Sequence, residues 1–590
     1  MEKWLVAAKK ADFQGWSRKF NIDPVVARII RNRDVIEEEE VQKFLFGTLE
    51  DCYSPWHLKG MEETTTLLLK EIHRQSHIRV IGDYDVDGIC SSYILTYGLQ
   101  SLGANVDTAI PHRMKDGYGL NEHLIQEAYE AGATCIVTCD NGIAAKDQVK
   151  MAKDLGMHVV ITDHHEVPFE EKGGERQEIL PPADAIVNPK QERCNYPFKN
   201  ICGAVVAYKV IKAVGEKSGY QHLEQLLMEL LPFAAIATIC DVMELKDENR
   251  ILVKEGLKQV QVTSNWGLRA LFEVNDIDPT KANAYHLGFI IGPCLNATGR
   301  LDTAHRALEL LQSNSKAEAM VAATELKELN DSRKNLTLSG VEKAERLIQE
   351  QKLYNDKVMV IYLPQVHESL AGIIAGRIRE KYHHPVFVLT DGEEGIKGSG
   401  RSIETYHMYE AMVQVKEHFS KFGGHKLAAG LSLRTGDVEA FRRAINVSAV
   451  LTEEDFVPVI HIDVPMPLEY AGFELAKQLQ QLEPFGVGNP KPLFAQKDVL
   501  FVGAKRIGAT GNYARFTVLL LKNGEEKREE LMFFGDVGEF CHFLNHKYGE
   551  NSAEELFSGR GRFQISITYQ AGINSYRGRE NIQFIMQNYY

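Results

Sequence analysis

Between residues 78 and 189 the chain repeats one unit that leaves few folds open to it. Short apolar runs appear at "IRVIGD", "NVDTAIP", "TCIVTCD", "HVVITDHH" and "ADAIVNP", and helix-like stretches at 91–102, 122–131 and 144–155 separate the first four. Strand, helix, strand at this spacing means βαβ units and a parallel sheet, an α/β fold. No G-x-G-x-x-G follows the first run, so the phosphate loop of a dinucleotide-binding fold is missing.

The ends of those runs carry the chemistry. Asp83, Asp85 and Asp87 ("GDYDVDG") follow the first, Asp140 ("TCDNG") ends the third, and Asp163, His164 and His165 end the fourth. Asp241, in "CDVMEL", closes a later apolar run. Ligands of open parallel sheets bind outside the carboxyl ends of the strands, and all these groups are expected at that edge. Gathered without counter-charge, they would repel one another and their pKa values would rise. Bound cations remove the conflict. Carboxylates with one or two imidazoles and no thiolate favour Mn²⁺ or Mg²⁺ over structural zinc, and the supply of acids suits two ions about 4 Å apart, a setting for phosphoester hydrolysis. A single Asp after a strand is ordinarily a cap or turn residue, and Asp83 fits that reading too; His165 fits an orienting role as well as a ligating one.

The remainder of the chain divides by pattern. Residues 1–75 are helix-like, with "DPVVARIIRNR" opening on an N-cap Asp23 and an N1 Pro24. Residues 303–352, rich in Ala, Glu, Lys and Leu with no proline, read as one long connecting helix. Mixed strand and helix return in a second α/β segment at 353–450, with glycine-rich "GIKGSGRS" and "FGGHKLAAGLSL". Five short strand-like runs between 500 and 587 then suggest a small β-barrel within 451–590. The formal net charge of −14 argues against a uniformly basic nucleic-acid coat, though not against local basic grooves. Nine scattered cysteines without a C-x-x-C pair read as reduced thiols, no run approaches the length of a membrane span, and no signal peptide opens the chain. A soluble, cytoplasmic protein with no membrane partner is expected.

"DYDVDG", "CDNG", "DHH" and "CDVMEL" resemble, in order, four motifs of the DHH phosphoesterase superfamily, and "FGGHKLAAG" resembles the glycine-rich motif of its DHH-associated second domain. "CLNATGR" (294–300), "HESLAGIIAGR" (367–377) and "LEPFGVGNP" (482–490) are similar to segments of the RecJ-type branch, single-strand-specific exonucleases, and so are the entry helices at 29–45. The resemblance implies a DHH catalytic domain at 76–302 joined by the connecting helix to a DHH-associated domain, and a C-terminal OB-like barrel. It implies metal binding at Asp83, Asp85, Asp87, Asp140, His164 and Asp241, with Asp163 and His165 supporting catalysis; which two of the first three acids ligate directly is left open.

On the substrate side the resemblance points to Asn296, Arg300, His367, Arg377, Ser399, Arg401, Gly423, Gly424 and His425 as the residues that hold nucleotide phosphates. The three arginines are expected in or beside glycine-containing turns, and Arg401, Gly423, Gly424 and His425 on loops. Lys505, Arg506, Tyr513 and Arg515, with a basic "NSYRGREN" loop at 574–581, suit a single strand on the barrel, while Phe516 reads as core. The implied activity is metal-dependent 5′-to-3′ hydrolysis of single-stranded DNA to mononucleotides, in repair and recombination. Single-strand-binding protein and a repair helicase are the implied partners. Two alternatives remain at this stage: a DHH phosphodiesterase for short oligoribonucleotides or dinucleotides, and a non-catalytic DNA-binding scaffold.

Overall fold

The structure, a computed structural model, describes residues 2–590 other than 113–116, 118, 173, 302, 393–394, 435–436, 523–524 and 577. Arg577 of the basic C-terminal loop therefore lies outside the described residues. The chain forms two units, one of residues 53–243 with 256–458, the other of residues 3–52 with 244–255 and 459–590.

In the first unit β1 (His77–Ile81), β2 (Asn105–Ala109), β3 (Cys135–Cys139), β4 (His158–Thr162) and β5 (Ala185–Val187) form an all-parallel sheet in the order 2-1-3-4-5. Strand order reverses between β1 and β3, which opens a crevice at their carboxyl ends. Ile81 pairs with Thr138 and Cys139 with Thr162, so the strands end level with one another. Helix α1 (Val86–Ser101) leaves only Tyr97, Gln100 and Ser101 of its sixteen residues unburied. A helix apolar on every side belongs in the middle of a domain. It packs there against α2 (Gly203–Ser218) and α3 (Leu223–Cys240). Contrary to the expectation from the sequence, α3 has the length and mean hydropathy, 1.5, of a membrane span; 61% of it is buried inside the protein, where its apolar surface packs against α1 and α2.

The connecting segment is two helices, α5 (His305–Leu311) and α6 (Lys316–Glu350), which follow α4 (Gly292–Leu301). The break has a local cause. Ser315 Oγ accepts from Glu318 N at 3.2 Å and Glu318 Oε2 accepts from Asn314 N at 3.1 Å, a start signal that prevails over continuation from α5. Beyond it, β6 (Met359–Tyr362), α7 (Glu368–Tyr382), β7 (Val386–Gly392), β8 (Gly395–Arg401), β9 (Phe419–Gly424) and β10 (Ala428–Leu433) build a second sheet in the order 9-10-8-7-6. Phe387, Met408 and Phe441 form a core on one of its faces, and Ile374 and Ile378 of α7 cover the other.

The second unit holds a closed barrel of β11 (Phe494–Ile507), β12 (Tyr513–Lys522), β13 (Glu525–Phe533), β14 (Phe563–Tyr576) and β15 (Arg579–Tyr589), sealed by pairing of β11 with β14. Phe501, Phe516, Phe533 and Phe540 fill it. Trp16, Phe20, Ile30 and Phe44 join the same apolar cluster. The N-terminal segment, read as helical, also contains a strand, Lys3–Val6, paired in parallel with Val459–Ile462. Arg250 is fully buried in this unit, where it lies over the Phe44 ring and donates to the carbonyls of Phe44, Gln481 and Leu482.

Candidate metal centre and substrate cleft

Each acid at the carboxyl edge is held by backbone that the local sequence shapes. Asp85 caps α1, accepting from Gly88 N at 3.1 Å. Asp87, in the first turn of α1, accepts from Gly203 N at 2.6 Å and Ala204 N at 2.7 Å, so the N-terminus of α2 clasps both its oxygens. Asp83 accepts from Gly119 N at 3.3 Å. Asp140 follows β3 in the left-handed region, φ 60°, a conformation that aspartate tolerates better than most residues. Asn141 behind it ties the two strand ends together, donating to Ile81 O at 3.1 Å and Cys139 O at 2.9 Å while accepting from Leu120 N at 3.1 Å.

Asp163 turns the next loop inward. Its carboxylate accepts from the N–H groups of Ile143, His164 and His165 and from the His165 ring at 2.8 Å, so it orients its neighbours and has little capacity left for an ion. His164 Nε2 then stands 3.0 Å from Asp140 Oδ1, 3.5 Å from Asp87 Oδ2 and 3.8 Å from Asp241 Oδ2. One expectation needs correcting. Asp241 is not at a strand end: it is the C-cap of α3, and its carboxylate reaches the same cluster, 3.8 Å from His164 Nε2.

Electrostatics describes a site short of positive charge. Burial, then the Asp85 charge, pushes Asp83 up to about 8. Burial, then Asp87 and Asp85, does the same to Asp241, also to about 8. Asp140 rises far above the usual carboxyl range, and Asp85 is raised, both chiefly by burial and then by the neighbouring carboxylates. Burial pulls His164 below its ordinary value. Burial opposes the His165 charge too, but the hydrogen bond and charge of Asp163 hold it up at about 9.

The donors fit divalent cations. Three groups, Asp83 with Asp85 and Asp140, Asp87 with His164 and Asp241, and Asp140 with His164 and His165, each place their ligand atoms within 4.8 Å of one another. All are carboxylate or imidazole, the hard and borderline donors that Mn²⁺ and Mg²⁺ take. Asp140 and His164 each belong to two groups, so the groups form one cluster.

Next to it lies a cavity of about 110 Å³ whose wall joins Val86 and Cys240, from the metal side, to Asn296, Arg300, Arg333 and Ile373. Asn296 and Arg300 sit on α4 and Arg377 is exposed on α7, so the glycine before each arginine is helical and not part of a turn. Arg300 Nη1 donates to Ser369 O at 2.7 Å, bridging α4 to the first turn of α7. His367 caps α7, its Nδ1 2.7 Å from Ser369 Oγ. Arg401, Gly423 and Gly424 are strand residues rather than loop residues, and His425 turns the β9–β10 hairpin. Register nonetheless gathers them: Arg401 pairs with Ala428, Gly424 with Ala429, and His425 N donates to Ala428 O at 2.8 Å. Ser399 and Arg401 meet α7 at Gly372, where a Cβ would come within 3.0 Å of Arg401 Nη2. Burial, then the Arg379 charge, lowers the Arg401 pKa.

Sequence reading passed over Asn141, Gly203 and Arg333. The first two leave a trace, an amide directly after a strand-end acid and a glycine opening a helix. Arg333 looks like any charge on a solvated helix. On the barrel, Phe516 is core as expected, Tyr513 is exposed edge-on to Phe534, and Arg515 pairs with Glu530 at 3.3 Å.

The chain matches the DHH family N-terminal domain over residues 77–238, the DHHA1 domain over 355–449 and the RecJ OB domain over 462–588. Fold and site therefore define a DHH phosphoesterase with its associated second domain. It is 31% identical to the single-stranded-DNA-specific exonuclease RecJ of Haemophilus influenzae across 95% of both chains, and 31% identical to that of Escherichia coli across 96% of both. The Bacillus subtilis RecJ is 36% identical over 88% of this chain, which spans 64% of that longer relative. The crystal structure of Thermus thermophilus RecJ with Mn²⁺ superposes with a TM-score of 0.80 at 26% identity, covering all of this chain and 79% of that one. The chain belongs to the RecJ family of single-stranded-DNA-specific exonucleases.

Proposed function

We propose that the protein is a metal-dependent exonuclease that hydrolyses single-stranded DNA from its 5′ end to mononucleotides, in DNA repair and recombination. The convergence of Asp83, Asp85, Asp87, Asp140, His164 and Asp241 beside an arginine-lined cavity carries this reading. These six residues would hold two Mn²⁺ or Mg²⁺ ions, Asp140 and His164 each belonging to two of the donor groups. Such ions supply an activated water and neutralise the charge that develops on the phosphoryl oxygens.

The chain's own groups do the rest. Arg300 and Asn296 hold the phosphodiester next to the metal cluster, because a guanidinium stays charged at every working pH. Ser399, Arg401, Gly423, Gly424 and His425, gathered at one end of the second sheet, bind the terminal phosphate, and His367 keeps the start of α7 in place for it. Arg377, exposed on α7, contacts the strand further along. Asp163 fixes the His165 ring, whose charge faces the same edge and assists proton movement there. Single-stranded DNA is the partner on this reading, joined by single-strand-binding protein and a repair helicase, all in the cytoplasm.

A 5′-labelled DNA 30-mer incubated with Mn²⁺ tests it. Labelled mononucleotide is the expected product, from single strands and not from duplex. Rapid cleavage of dinucleotides with the 30-mer left intact would make the protein a small-substrate phosphodiesterase. Binding without cleavage under every divalent ion would make it a scaffold.

A further inference from the structure

Beside the arginine cavity is a turn that phosphate binding leaves unused. Tyr285 and Phe289 stack on each other, ring centroids 5.1 Å apart and planes 23° from parallel, yet they stand 61% and 69% exposed. Phe289 is the most exposed phenylalanine among the described residues. Leu287 and Ile291, on the same turn, are fully buried, so the segment is anchored while its aromatic face is left to solvent. The backbone from Leu287 to Ile291 is π-helical, a geometry that concentrates at functional sites.

The position of the rings relates them to the reaction. Gly288 and Gly292, on either side of Phe289, line the cavity that Asn296 and Arg300 also line. Cys240 Sγ lies 3.7 Å from Leu287 O, and a Cβ on Gly288 would sit 3.0 Å from Ile239 Cγ2. The aromatic turn is therefore fastened to the end of α3 that carries Asp241. It runs directly into α4, which carries Asn296 and Arg300.

We propose that Tyr285 and Phe289 are a stacking platform for bases of the single strand whose phosphates Asn296 and Arg300 hold; this rests on the function proposed above. Two uncharged rings do not attract phosphate. They do match the π-face that every base presents, a contact that is tolerant of sequence and available only when bases are unpaired. Backbone and base would then be gripped by one continuous segment, and the preference for single strands would have a structural source at this turn.

The test uses the full-length protein with Mn²⁺ and a single-stranded 20-mer. Phe289→Ala and Tyr285→Ala should each raise KM about tenfold, the usual scale for losing one base stack, with kcat within about twofold. Phe289→Trp should restore KM. Because both rings are exposed, melting temperatures should not move. In an Asp140→Asn background, 2-aminopurine placed at successive positions should be quenched at one or two of them, and Phe289→Ala should abolish that quenching. An abasic nucleotide at those positions should raise the wild-type KM to the variant's value and leave the variant unchanged. Unaltered KM in both variants, as expected if the rings instead dock a protein, overturns the platform; so does an abasic strand that still separates wild type from variant. A wild type that degrades the 20-mer while the variants match it sinks this proposal alone, whereas a wild type that never degrades it sinks the function on which the proposal rests.

Discussion

Gly203 stands so close to Asp140 that a methyl group on residue 203 would lie 2.8 Å from the Asp140 Cβ and 3.0 Å from its Oδ1. The missing side chain lets the start of α2 approach the end of β3, and the same turn gives Asp87 two N–H donors. A glycine with no metal-binding atom thereby sets the distance between two acids that have them.

Gly203→Ala should consequently displace Asp140 without removing any ligand. Overpacking at such a contact costs about 1–3 kcal/mol, and supporting groups at metal sites are worth about 10–100-fold in affinity or activity. Mn²⁺ titration calorimetry should show weaker binding of that order in a protein that still melts cooperatively. Unchanged Mn²⁺ affinity would mean that the close contact is only packing.

Asp140→Asn should cut hydrolysis more than about 100-fold, beyond what loss of a supporting group produces. The metal-free variant should melt at a higher temperature than the metal-free wild type at pH 8, since the substitution removes a buried acid raised by burial and by four neighbouring carboxylates. Calorimetry in EDTA checks the second point, and a lower melting temperature would refute it.

Metal affinity should depend on pH with a defined sign. Asp83 and Asp241 sit at about 8 without metal, so at pH 6 an ion must displace both protons, and at pH 9 neither. Affinity should climb from pH 6 to 8, by up to about a hundredfold per unit from these two protons. Stability runs the other way in the metal-free protein. Raised carboxyls favour the fold below the unfolded value near about 4, and that contribution is lost as pH rises through 8. The rise in melting temperature on adding Mn²⁺ should thus be larger at pH 9 than at pH 6.

Val242, immediately after Asp241, adopts a left-handed φ of 58° and is 64% exposed. Met243 N donates to Thr238 O at 3.1 Å, closing α3 with a Schellman-type turn in which glycine is the usual residue. The β-branched side chain costs about 1–2 kcal/mol there. Val242→Gly should raise stability by about 1 kcal/mol with hydrolysis intact, as denaturant unfolding and the exonuclease assay would report.

Much of the molecule follows from short-range pattern. Alternation of β-branched runs with helical stretches dictates the parallel sheet, and the acids at 83, 140 and 163 belong to strand ends because each follows its run, while those at 85 and 87 open the helix that comes next. Spacing of the late strands likewise dictates a barrel. Patterns of this kind are local: a few consecutive side chains settle which backbone conformation can be buried.

Tertiary structure decided what depends on pairs remote in the chain. Asp241 looked like one more strand end, and only packing of α3 against α1 brings a helix C-cap to the sheet's edge. Lys3–Val6 is a strand because a partner some 450 positions away accepts its hydrogen bonds, and four residues cannot announce that. The arginines read as turn residues lie on helices and a strand, since glycine beside a charge signals close approach as readily as a turn. Whether a charged or aromatic side chain on a helix faces water or a cleft depends on what packs opposite it, which is why Arg333 and Phe289 stood out only once the chain was folded.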